Sequence, residues 1–67
     1  MQRERNLIEC IERAAELVED YNALRLRAIA AGKIERANDW AQHVARETAH
    51  IARLSGHLDA VRKEVSR

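Results

Sequence analysis

Ala28-Ile29-Ala30-Ala31-Gly32-Lys33-Ile34-Glu35 is the one break in a chain that otherwise keeps a helical rhythm from Gln2 to Ser66. There is no proline, and there are only two glycines. Glycine takes the left-handed conformation that ends many helices without a steric penalty, so Gly32 reads as the residue just past a helix C-terminus. A turn this short returns the chain antiparallel to itself. The expected fold is all-α: an antiparallel two-helix hairpin in a single domain spanning residues 1–67. Its first helix covers about Arg3–Ala30, its turn 31–33 and its second helix about Ile34–Val65. Asn38 and Asp39 are both good N-caps and offer the second helix a later start, with a looser segment over 32–38.

Composition supports helices and excludes several function classes. Alanine is the commonest residue, Leu, Ile, Val, Glu and Arg are abundant, and phenylalanine is absent. Twelve basic and eleven acidic residues nearly cancel, leaving no general field to attract nucleic acid or anionic lipid. No apolar stretch approaches the ~20 residues that span a bilayer, and the charged start over residues 1–5 lacks a signal peptide's apolar core. A cytoplasmic location without membrane association is expected. The lone Cys10 excludes an internal disulfide and agrees with a reducing compartment. Arginine outnumbers lysine ten to two, a compositional hint of a GC-rich bacterium or its phages; a phage-encoded chain would act in the host cytoplasm.

A single pair of helices shelters little. Ordering each residue costs on the order of 1.5 kcal/mol, and burial returns about 25 cal/mol per Å². With no disulfide available, a partner subunit is the simplest remaining support, and a homodimeric four-helix bundle is expected. The pattern agrees. Leu7, Cys10, Ile11, Ala14, Leu17, Val18, Tyr21, Leu24 and Ala28 share one side of the first helix. Ile8, Ala15, Leu26 and Ile29 widen that side beyond half the circumference, more than one partner helix covers.

The second helix carries a bulky stripe (Trp40, Val44, Ile51, Leu54, Leu58, Val61, Val65) and a strip of small residues (Ala37, Ala41, Ala45, Thr48, Ala52, Ser55). The first helix is expected to lie on the small strip, while the bulky stripe meets a second subunit or closes the hairpin from the side. The expected oligomer interface is Leu7, Ile11, Leu17, Val18, Tyr21, Leu24, Val44, Ile51, Leu54 and Leu58. Positions summing to about 64 should face each other, which places Arg25 near Asp39 and Trp40, for an ion pair with the first or a stack on the second.

Motifs for chemistry are sparse. His43, Glu47 and His50 include the Glu-x-x-His step of carboxylate-bridged di-metal bundles. Such a site also needs inward glutamates from other helices, and those of the first helix lie on its solvent side. No metal or cofactor is therefore expected, and Glu47 is read as a half-buried carboxylate paired with an arginine or histidine. His43, His50 and His57 recur every seven residues along one helix edge, a solvated edge or a pH-sensitive seam. Cys10 near His57 is the one thiol–imidazole pairing, and it sits on the core face, so no enzymatic activity is expected.

Arg36, Arg46 and Arg53 form the candidate nucleic-acid surface on the outer face of the second helix, interrupted by Glu35 and Glu64 and unaccompanied by a stacking aromatic. A patch of Trp40, Arg25, Arg27, Leu26 and Ile29 near the turn is the candidate for docking a larger protein, since tryptophan and arginine dominate interface energetics. The function expected is a small non-enzymatic regulator or inhibitor that occupies a surface on a larger, host protein. A nucleic-acid-binding hairpin dimer comes second and a metal-binding bundle third.

Overall fold

The computed structural model of this chain describes residues 2–66, in which α1 (Gln2–Ala30) and α2 (Ile34–Ser66) pack against each other, with no strand among the described residues. Glu4 in the first turn of α1 and Arg27 in its last turn both suit the helix dipole.

The junction is a Schellman motif. The Lys33 amide donates to the Ala28 carbonyl at 2.8 Å and the Gly32 amide to the Ile29 carbonyl at 3.0 Å. Gly32 holds φ at +75°, inside the left-handed region. The Ala37 amide then donates to the Lys33 carbonyl at 3.0 Å. Lys33 is thus the N-cap of α2, and the helix starts at Ile34 rather than near Asn38 or Asp39.

Alternating steps of three and four define the contact between the helices. On α1 they pick out Glu4, Leu7, Ile11, Ala14, Val18, Tyr21, Arg25 and Ala28. On α2 they pick out Ala37, Trp40, Val44, Glu47, Ile51, Leu54, Leu58 and Val61. Every one of these is buried or half-buried, the seam of an antiparallel coiled coil. Ala28 and Ala37 are only 5% and 4% exposed; two methyl-sized side chains let the helices close on each other where the turn joins them. Arg62 Nε donates to Glu4 Oε1 at 2.8 Å and ties the open end.

Three sequence expectations are corrected by this seam. The bulky stripe of α2, not its small strip, faces α1: Ala41, Ala45, Thr48 and Ala52 are exposed, with only Ala37 buried and Ser55 half-buried. Interdigitating two large apolar rows removes more surface from water than laying one row on alanines. Cys10 is exposed rather than part of the core, because it falls beside the seam positions Leu7 and Ile11 rather than on them. Arg25 Nε donates to Asn22 Oδ1 at 3.0 Å on its own helix, in place of Asp39. Leu7, Ile11, Leu17, Val18, Tyr21, Leu24, Val44, Ile51, Leu54 and Leu58, expected at contacts between subunits, are half-buried within the single hairpin, apart from Leu58, which is buried.

The result is a rod of 54 × 14 × 11 Å. Its radius of gyration is 15.5 Å, where a compact chain of this length has about 11 Å.

Candidate functional site

Residues that flank the seam fall on one side or the other of the plane holding both helices. In an antiparallel pair, positions that follow the seam residues share one side on both helices, and positions that precede them share the other. The first flank gathers Ile8, Ala15, Leu26 and Ile29 from α1 with Ile34, Ala41, Ala45, Thr48 and Ala52 from α2, and toward the open end it also carries Arg5, Glu12, Glu19, Asp59 and Arg62. The opposite flank gathers Arg3, Cys10, Arg13, Leu17, Leu24 and Arg27 with Arg36, His43, Arg46, His50, Arg53 and His57. The hairpin is two-faced: one side is apolar over its turn half and mixed in charge toward the open end, and the other is predominantly cationic, with Asp20, Asp39 and Glu64 among its arginines.

Two recesses lie along the cationic flank. One, of about 540 Å³, is lined by Gln2, Arg3, Asn6, Leu7, Cys10 and His57. It brings the thiol and imidazole into one groove, with no hydrogen bond between them among the described residues. The other, of about 310 Å³, sits at the turn and is lined by Leu24, Arg27, Ala28, Ala31, Lys33, Arg36 and Trp40. Three cations and an indole share it with no acid in its wall. Like charges held this close repel, so an anion arriving there is attracted by all three at once.

The indole is fixed from the open-end side. Tyr21 stacks on Trp40 with centroids 5.7 Å apart and planes at 23°. His43 lies 5.1 Å from Tyr21 and 5.6 Å from Trp40. His43 is thereby half-buried, whereas His50 and His57 are exposed, and the three are not equivalent members of a solvated edge. With His43 turned onto the rings, the histidines and Glu47 do not converge: no group of three metal-ligating side chains occurs among the described residues. Glu47 sits half-buried in the seam. The arginine or histidine expected to pair with it is not there; no hydrogen bond or ion pair reaches its carboxylate among the described residues.

The docking patch read from the sequence is divided by the fold. Trp40 and Arg27 line the turn recess on the cationic flank, Leu26 and Ile29 are exposed on the apolar flank, and Arg25 lies between them, half-buried. Sequence reasoning missed Lys33 as a partner of Arg27 and Trp40. Its signal in the sequence is a lysine inside the turn with an arginine three residues on. Arg36, Arg46 and Arg53 are all exposed on the cationic flank. No helix among the described residues is long and apolar enough to cross a membrane. The chain matches no protein family, no curated protein and no solved structure, so the reading of these surfaces rests on its own residues.

Proposed function

We propose that this chain is a small non-enzymatic interaction module, a homodimeric four-helix bundle that regulates or inhibits a larger protein by occupying an acidic surface on it. The observation that carries the proposal is the turn recess. Trp40 and Leu24 supply apolar surface, while Arg27, Lys33 and Arg36 supply charge without a compensating acid in the wall. Aromatic and arginine side chains around a small concavity are the usual makings of an interface anchor. Charged side chains on the partner would steer the encounter as well as hold it.

The test is affinity capture from the native host with the wild-type chain and with Arg27→Glu and Arg36→Glu. Both positions are exposed, so the helices lose no packing. One protein should be recovered by the wild type and lost with either reversal; recovery that ignores both reversals rejects the reading.

A second reading uses the same flank. Arg36, Arg46 and Arg53 run along it at helical spacing with His50 and His57 between and beyond them, and such a row suits a phosphate backbone. Trp40 and Tyr21 are engaged with each other and with His43, which leaves phosphate contact rather than base stacking as its means. Binding of RNA or DNA at about 50 mM salt, falling steeply with added salt and with Arg46→Ala plus Arg53→Ala, would favour this reading over the first. No binding at low salt removes it.

A further inference from the structure

We propose that the apolar flank is where a second copy of this chain packs. This rests on the self-association proposed above and adds its location, which differs from the residues the sequence pattern suggested. Of the four large apolar side chains exposed among the described residues, Leu26, Ile29 and Ile34 are 53%, 46% and 59% exposed and fall on this flank at its turn end, while Val65 lies at the open end. Beyond them the α2 side of the flank is nearly flat, because Ala41, Ala45 and Ala52 carry only methyl groups. Thr48 adds no unmet polarity: its Oγ1 donates to the Val44 carbonyl at 2.8 Å, which leaves its methyl group for the surface.

Area and charge both select a second copy as the occupant. The hairpin exposes 5337 Å², where a compact protein of its 7.7 kDa mass exposes about 4,300 Å². The excess of roughly 1,000 Å² is close to the ~800 Å² that each partner contributes to a standard stable interface. A single covering layer on one flank accounts for it.

The alternative flank opposes self-association. Arg3, Arg13, Arg27, Arg36, Arg46 and Arg53 face only Asp20, Asp39 and Glu64 there, so two copies meeting through it repel. Toward its open end the apolar flank carries both signs, Arg5 and Arg62 with Glu12, Glu19 and Asp59, and a two-fold contact can match them. Pairing through this flank also leaves the cationic recess facing outward in both copies.

The experiment is sedimentation equilibrium with helicity followed by circular dichroism. It compares the wild type with Ala45→Glu, with Leu26→Lys plus Ile29→Lys, and with His50→Glu on the opposite flank. All four positions are exposed on the single hairpin, so these changes remove little packing within it, and Ala45→Glu least of all. The wild type should be a dimer. Ala45→Glu and the double variant should each weaken it by about 100-fold, the effect of disrupting an interface hot spot, while His50→Glu leaves it unchanged. Loss of helicity together with assembly in both apolar-flank variants, Ala45→Glu included, supports the same location, because Ala45 is exposed and has only a methyl group to lose. A dimer indifferent to Ala45→Glu and to the double variant, or equally sensitive to His50→Glu, overturns the location while self-association stands. A wild type that is monomeric at every concentration overturns both.

Discussion

Gly32 and Gly56 are the chain's only glycines, and the structure gives them opposite meanings. Gly32 holds φ at +75° with nothing within 4 Å of where a Cβ would sit; the demand is conformational, not steric. Gly32→Ala should destabilise by about 1 kcal/mol, the cost of putting an L-residue in the left-handed region. Gly56 lies within α2, has no positive φ and also faces open space. Gly56→Ala should therefore stabilise by about 0.5–1 kcal/mol through helix propensity and a less disordered unfolded chain. Thermal melts of the two variants should move in opposite directions, and a fall with Gly56→Ala would mean that this backbone is needed for a close contact the hairpin alone does not make. Gly32 was legible because turn chemistry is local. The environment of Cys10 was not: it follows Leu7 by three residues and sits on the broad apolar side, but only the observed axis of contact places it just off the seam.

The seam makes a sharper statement at the level of the helices. Both apolar rows could be read directly from spacing, and two packed helices are what the structure contains. Which row of α2 faces α1 could not be read, since a bulky row and a small row lie about a third of a turn apart and each is regular. Burial decided it. The same rotation puts Glu47 into the bulky row, half-buried and without a partner among the described residues, a position where a carboxylate loses solvation and gains no bond. Glu47→Leu should raise stability by about 1 kcal/mol through apolar burial in its place, read from the midpoint of chemical denaturation. A destabilised variant would show that Glu47 finds a cation in the assembled protein. The Glu4–Arg62 pair at the open end is different in kind. Its side chains are 30% and 54% exposed, so Glu4→Gln should change stability by less than about 1 kcal/mol, and less still at high salt.

For the whole molecule the governing fact is the thinness of the core. Ala14, Ala28, Ala37, Leu58 and Val61 are the buried residues among those described, three of them alanines that each remove little apolar area. The longer side chains Leu7, Ile11, Leu17, Leu24, Ile51 and Leu54 are covered on one side only. A two-layer rod of this kind gains from any third layer, and the division into an apolar and a cationic flank was invisible in the sequence because it needs both helices placed in register. If the hairpin derives its stability from a second copy, folding and association are one equilibrium, and the melting midpoint must depend on protein concentration. Each tenfold increase adds RT ln 10, about 1.4 kcal/mol, to the dimer. Spread over the unfolding entropy of two such chains, that raises the midpoint by about 5 °C. Melts across a hundredfold range of concentration should therefore separate by about 10 °C, and the cationic flank, left free in the dimer, should keep its response to anions throughout. A midpoint fixed across that range would mean the lone hairpin holds itself together, and the excess surface would then have to be explained by a partner other than itself.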